Sequence, residues 1–77
     1  MVTERIIELL APDTLAEMNG TFILRWSYDM PHFMYKMECV SDVLKEFPSA
    51  IIVNSFHVWS KKRSGGIIGV DFRIPKD

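Results

Sequence analysis

Residues 31–47, PHFMYKMECVSDVLKEF, decide the fold that we predict from this sequence. Apolar side chains recur there at the three- and four-residue spacing of one helix face, in the order Phe33, Met37, Val40, Leu44 and Phe47. Val43 lies at the margin of this face, and most charged residues fall opposite it. Pro31 suits the first turn of a helix, and Pro48 stops one. The pattern therefore predicts one long amphipathic helix over residues 31–47.

Three segments around this helix have the composition of β-strands. Residues 21–28 and 67–74 alternate between apolar and polar positions, as strands with one buried face do. The apolar positions of these two segments are Phe22, Leu24, Trp26, Tyr28, Ile68, Val70, Phe72 and Ile74. Residues 50–60 are rich in β-branched and aromatic side chains. Residues 61–66 are polar and end in Gly65-Gly66, which predicts a hairpin turn between the last two strands.

The N-terminal residues predict a short helix. Its apolar stripe lies before Pro12 and consists of Ile6, Leu9 and Leu10. We interpret residues 13–18 as a further helical turn, because Asp13 is a good N-cap and Asn19-Gly20 is a standard helix stop.

The elements therefore follow the order α-β-α-β-β in one α+β domain over residues 1–77. We predict a three-stranded, mainly antiparallel sheet in the order 1-3-2. One long amphipathic helix packs on this sheet as a single layer, with the short N-terminal helix beside it.

The predicted second strand, residues 50–60, carries apolar side chains on both faces. Strict alternation places Phe56 and Val58 on one face and His57 and Trp59 on the other. One helical layer covers only one face of a sheet, so a second cover is needed. Either the N-terminal helix provides it, which is the interpretation we favour, or a partner does.

Composition narrows the class of protein. A chain of 77 residues with 48% hydrophobic residues can form one small core. Its net charge of −1 argues against a protein that coats nucleic acid nonspecifically, because such proteins are usually basic. Cys39 is the only cysteine, so an intramolecular disulfide is impossible and a reducing cytoplasm is expected. No apolar run is long enough for a membrane span, and the first residues do not form a signal peptide.

Residues with catalytic potential are few and scattered. His32, Cys39 and His57 do not have the spacing of a zinc site, and residues 64–69 lack the ending of a phosphate loop. We therefore predict a protein that is not an enzyme and has no metal and no cofactor. Gly69 inside a strand predicts a bulge or a close backbone approach.

The strongest functional candidate is a basic hairpin tip beside an aromatic residue. Arg25 and Arg73 are predicted to share the outer face of the sheet with Asp71, in cross-strand pairs or at the rim of a binding surface. The predicted partner-binding residues are Trp59, Lys61, Lys62, Arg63, Arg25, Arg73 and His57.

These features favour a small interaction module that binds a larger protein through its outer sheet face and basic hairpin. Accessory regulators and inhibitors of this size, including those of phages and mobile elements, are the expected class, and a homodimer through the sheet is a further option. The alternative is a nucleic-acid-binding protein that uses Lys61, Lys62 and Arg63 at the hairpin tip. That basic loop resembles the wing of winged-helix DNA-binding domains, although the predicted helix 31–47 lacks the helix-turn-helix of that family.

Overall fold

A computed structural model describes residues 2–29, 39–62 and 64–75. The elements in chain order are helix α1 (Val2–Leu10), strands β1 (Thr14–Met18) and β2 (Thr21–Asp29), helix α2 (Cys39–Glu46), and strands β3 (Ile51–Ser60) and β4 (Gly65–Arg73). The predicted helix over residues 31–47 is therefore described only from Cys39 onward. Phe33, Met37 and His32 lie outside the described residues.

The four strands form one antiparallel sheet in the order β1-β2-β4-β3. The predicted three-stranded sheet on one long helix is therefore wrong. The three strands that the sequence suggested lie in the order β2-β4-β3, and β1 pairs with the remaining edge of β2. The chain is a small α+β protein built around this sheet.

Strand β1 lies where the sequence predicted a helical turn, and the Asn19-Gly20 turn explains the difference. Both residues have positive φ, 52° at Asn19 and 82° at Gly20, and Met18 pairs with Thr21 across the turn. A two-residue loop with positive φ at both positions has the right twist for a β-hairpin. The same two residue types also end helices, so the pair alone does not distinguish a helix stop from a hairpin.

The core lies on one face of the sheet, under both described helices. It contains Ile6, Leu10, Phe22, Leu24, Trp26, Tyr28, Cys39, Val43, Phe47, Ile68, Val70 and Phe72. The indole Nε1 of Trp26 donates a hydrogen bond to the carbonyl oxygen of Leu10 at 2.8 Å, and the Phe47 ring stacks on Phe72 at 6.0 Å. We call this side the helix-covered face and the other side the open face.

The helices bury most of the predicted residues that the structure describes: Ile6, Leu10 and Phe47 lie in the core, and Val40 packs against it. In α2, Val43 is fully buried and Leu44 is 39% exposed, so the predicted placement of Leu44 on the buried side is wrong. The centre of the buried side is formed by Cys39, Val43 and Phe47 at four-residue spacing. In α1, Leu9 is exposed at 46%, although the prediction placed it in the buried stripe.

A bulge between Ile52 and Asn54 changes the alternation of β3. Ile52 pairs with Phe72 on the helix-covered face, whereas Phe56 pairs with Gly69 on the open face. Strict alternation would have put Ile52 and Phe56 on the same face. Because of this one inserted residue, each side chain after the bulge points to the face opposite to the one that strict alternation from Ile52 predicts.

The favoured cover of the second face is also wrong. Helix α1 contributes Ile6 and Leu10 to the same core as α2, so it packs on the helix-covered face. Within residues 2–29, 39–62 and 64–75, no helix lies on the open face.

Candidate protein-binding surface

The open face carries a group of exposed apolar side chains on three strands. Val58 is 56% exposed, Ile51 49% and Ile67 41%, and Val58 and Ile67 are direct cross-strand neighbours. Met18 extends the group to β1 and is 62% exposed. Large side chains at these exposures remain available to a binding partner.

Gly69 lies at the centre of this face, and two side chains meet over it. Phe56 on β3 and Arg25 on β2 both pair with Gly69 of β4, which lies between them. A Cβ atom at Gly69 would clash with the Phe56 ring and would approach Arg25 Nη1 to 2.9 Å. The close approach predicted from this glycine is therefore present: the aromatic ring occupies the space that a side chain on β4 would fill.

Arg25 is held by three partners. Its guanidinium carbon is 4.6 Å from the centroid of the Phe56 ring, and its Nη1 donates to Asp71 Oδ1 at 2.7 Å and to the Leu24 carbonyl oxygen at 2.8 Å. The side chains of Arg25 and Asp71 are 29% and 16% exposed. The expected cross-strand ion pair is thus present, and it leaves the centre of the open face nearly neutral.

Arg73 lies at the end of β4, exposed, opposite Ile51 on the open face. Arg25, Asp71 and Arg73 therefore share this face, as the sequence predicted. Phe56 belongs to the same group.

Trp59 and His57 lie on the other side of the sheet. His57 pairs with Ile68 and Trp59 pairs with Gly66, which places both on the helix-covered face. The Tyr28 hydroxyl and His57 Nε2 form a hydrogen bond, and the two rings lie 5.4 Å apart. The sheet therefore separates Trp59 and His57 from Arg25 and Arg73, and one flat partner surface cannot contact both groups.

Lys61 and Lys62 lie at the tip of the β3–β4 hairpin and are exposed. The turn is closed by a hydrogen bond from the Ser64 amide to the Lys61 carbonyl oxygen at 3.3 Å. Arg63 lies outside the described residues. The two described lysines are at the far end of the sheet from Arg73.

A groove of about 410 Å³ lies at the hairpin end of the sheet. It is lined by Ser27, Tyr28, Val58, Ser60, Gly65, Gly66 and Ile67. Gly65 and Gly66 have no side chains, so the start of β4 is lower than the strands on either side. In the sequence this glycine pair indicates only a turn, and no residue pattern predicts the groove.

His57, Cys39 and the acidic residues are the potential metal ligands in the described part of the chain. No group of three or more histidine, cysteine and acidic residues is close enough there to hold a metal ion. Cys39 is buried in the core on α2. No described helix has both the length and the apolar character that a membrane crossing requires.

The fold is thus a small antiparallel sheet with the described helices on one face, and its open face carries exposed apolar side chains together with the Arg25–Asp71 ion pair. Comparison with known proteins gives no match: no protein-family model, curated protein or solved structure is significantly similar to this chain.

Proposed function

We propose that this protein is a non-enzymatic interaction module that binds a larger protein through the open face of its sheet. The observation that carries the proposal is the set of exposed apolar side chains on a face that neither described helix covers: Val58 and Ile67 at the hairpin end, and Ile51 and Met18 at the opposite end. Exposed apolar groups with a polar rim are typical of protein interaction sites.

The chemistry of the open face favours a protein partner over nucleic acid. Arg25 already contacts Asp71 and the Phe56 ring, so its charge is engaged within the chain. Nucleic-acid affinity depends on cations that are available to neutralise phosphates. Protein interfaces instead favour aromatic and arginine side chains held in one orientation, which is the arrangement at Phe56 and Arg25.

The size of the open face suits one protein interface. A ten-residue strand is about 33 Å long, and four strands spaced at about 4.8 Å make the sheet roughly 15 Å wide. The projected area is then on the order of 500 Å², compared with about 800 Å² of accessible surface per partner in a standard interface. We therefore include the hairpin tip, Lys61 and Lys62, in the proposed contact.

We further propose that the protein acts as an accessory regulator or inhibitor in the cytoplasm. A rigid face on a small chain is suited to block or position a site on a larger protein. The single cysteine, Cys39, is buried and fits a reducing compartment.

The test begins with nuclease-treated capture of the partner from the native host and its identification by mass spectrometry. The purified partner is then titrated with wild-type chain, Ile67→Lys and Ile7→Lys by calorimetry. Ile67 lies on the open face, whereas Ile7 lies on α1 and is 56% exposed, so the two variants introduce the same chemical change on opposite sides. We expect at least about tenfold weaker binding for Ile67→Lys only. Equal affinities for all three proteins would refute the open face as the binding site.

The second candidate function is nucleic-acid binding by the hairpin tip, which the exposure of Lys61 and Lys62 favours. A triple Lys61→Ala, Lys62→Ala, Arg63→Ala variant tests it in an oligonucleotide titration over a range of salt. A nucleic-acid complex weakens steeply with salt, with a slope set by the number of neutralised phosphates. If the wild-type chain bound oligonucleotides with a steep slope that the triple variant lost, the second candidate would replace the first.

A further inference from the structure

The charges on the open face are balanced within the chain except at Arg73. Arg25 and Asp71 form an ion pair at 2.7 Å, and Asp29, at the hairpin end, is also engaged within the chain. Arg73 is exposed, and no described acidic side chain forms an ion pair with it. Arg25, Asp71 and Arg73 are two cations and one anion, so their part of the open face carries one net positive charge.

Arg73 lies in a row of exposed, mostly apolar side chains. Ile51 of β3 and Thr21 of β2 flank it directly, and Met18 of β1 lies beyond Thr21. Ile51 is 49% exposed and Met18 is 62% exposed. The row crosses the end of the sheet that is away from the β3–β4 turn. It is about 26 Å from Asp29, because eight residues of a strand span that distance. We call these four residues the Arg73 row.

We propose that the partner protein presents an aspartate or glutamate carboxylate to Arg73, among apolar side chains that contact Ile51 and Met18. The proposal rests on the proposed function, because it concerns a partner that covers the open face. It adds the chemistry that such a partner carries at this end of the contact.

The loss of water from Arg73 on binding sets this requirement. A partner that covers the open face removes water from the guanidinium group, and a buried charge without a hydrogen-bonding partner is strongly disfavoured. Arg25 avoids this cost, because Asp71 and the Leu24 carbonyl oxygen already accept its hydrogen bonds. For Arg73 the acceptor has to come from the partner. A carboxylate suits it best, since its two oxygens accept two parallel N–H bonds from a planar guanidinium and neutralise its charge.

The surroundings of Arg73 favour a protein carboxylate over the phosphates of nucleic acid. Nucleic-acid affinity grows with the number of phosphates that cations neutralise, and Arg73 is the only cation in its row. The described lysines Lys61 and Lys62 lie at the far end of the sheet. Ile51 and Met18 beside Arg73 instead match the mixture of apolar contacts and arginine ion pairs in protein interfaces.

The first test compares four forms of the full chain by calorimetry with the purified partner: wild type, Arg73→Glu, Lys45→Glu and Ile67→Lys. Lys45 is exposed on α2, so Lys45→Glu makes the same change in net charge away from the open face. We expect about tenfold or more weaker binding for Arg73→Glu and unchanged binding for Lys45→Glu.

The outcomes separate this proposal from the proposed function. If Ile67→Lys weakens binding and Arg73→Glu does not, the carboxylate proposal is overturned and the proposed function stands. Equal losses for Arg73→Glu and Lys45→Glu would show a general effect of net charge and would also overturn it. If Ile67→Lys leaves the affinity unchanged, the proposed function itself is refuted.

The second test identifies the carboxylate. In the Arg73→Lys variant, a water-soluble carbodiimide couples the introduced amine to a carboxylate in contact with it. We expect mass spectrometry to find position 73 joined to an aspartate or glutamate of the partner. Replacing that partner residue with arginine should weaken binding to the wild-type chain and restore binding to Arg73→Glu, because the two charges are then exchanged. An exchanged pair that binds no better than Arg73→Glu with the unaltered partner would contradict the proposal.

Two controls concern the chain itself. Circular dichroism and thermal melting establish that Arg73→Glu retains the fold, and Arg73→Gln, which removes the charge without reversing it, replaces it if the melting temperature falls. Asp77→Asn removes an acidic residue that follows Arg73 closely in the sequence. We expect it to bind the partner as the wild type does. Tighter binding by Asp77→Asn would mean that the chain supplies its own acid to Arg73, and would overturn the proposal.

Discussion

Replacing Gly69 with alanine tests how the centre of the open face is built. Glycine to alanine usually stabilises a compatible position by about 0.4–1 kcal/mol, because the unfolded chain loses freedom. Here the new Cβ clashes with the Phe56 ring, so the ring must move away. Moving the ring exposes part of its apolar surface and breaks the contact with Arg25, at a combined cost of about 1.5–2.5 kcal/mol. We therefore expect a net loss of about 1–2 kcal/mol.

A double-mutant cycle with Phe56→Ala provides the assay. Urea unfolding of the wild type, Gly69→Ala, Phe56→Ala and the double variant gives four free energies of unfolding. Without the ring, the alanine at position 69 has space, and the substitution should become neutral or stabilise by up to about 0.5 kcal/mol. For a chain of this length, the predicted loss in the wild-type background corresponds to a melting temperature lower by about 4–15 °C. A Gly69→Ala effect of the same size in both backgrounds would refute the role of the Phe56 ring.

Four further substitutions test the fold. Val43→Ala should lower the free energy of unfolding by about 1.5–3 kcal/mol because Val43 is fully buried. Leu44→Ala should lower it by less than about 1 kcal/mol because Leu44 is partly exposed. A larger loss for Leu44→Ala than for Val43→Ala in urea unfolding would contradict the burial of the Val43 side of α2. Gly20→Ala should lower the free energy of unfolding by about 1–2 kcal/mol because of the positive φ alone, since no atom lies within 4 Å of the added Cβ. Hydrogen exchange of the backbone amides of β1 should become faster. Unchanged exchange would contradict the assigned turn. Asp71→Asn should lower the free energy of unfolding by about 0.5–1 kcal/mol at low salt because it removes the ion pair with Arg25. In thermal unfolding at high salt, the difference from the wild type should become smaller. An effect independent of salt would argue against an ion pair.

The sequence predicts β2 and β4 well because both strands have one buried face. Tyr28 and Phe72, like the other even-numbered apolar residues of these strands, lie in the core. In such strands successive side chains point to opposite faces, and the hydrophobic effect selects apolar residues for the buried face. Alternation in the sequence therefore predicts which residues are buried. The presence of Asp71 between apolar neighbours is part of the same signal.

The remaining elements depend on information that alternation does not contain. Strand β1 buries little, and its residues Leu15 to Met18 favour helices as much as strands, so only the Asn19-Gly20 turn indicates a hairpin. In α2, Val43 and Leu44 are adjacent in sequence and about 100° apart around the helix, and the packing against the sheet decides which one is buried. The phase of β3 is set by one bulged residue, which no periodicity predicts.

The separation of the two faces connects stability with function in this chain. The helices and the core side chains of β2 and β4 lie on one face, so folding does not require the exposed side chains of the other. Substitutions such as Ile67→Lys can therefore change binding while the core remains intact. Substitutions of Phe56 and Arg25 are expected to affect the structure of the open face as well as binding. Their contact over Gly69 orders this face, although neither side chain belongs to the main core. A partner that binds there meets side chains already held in one conformation, which lowers the entropy cost of association.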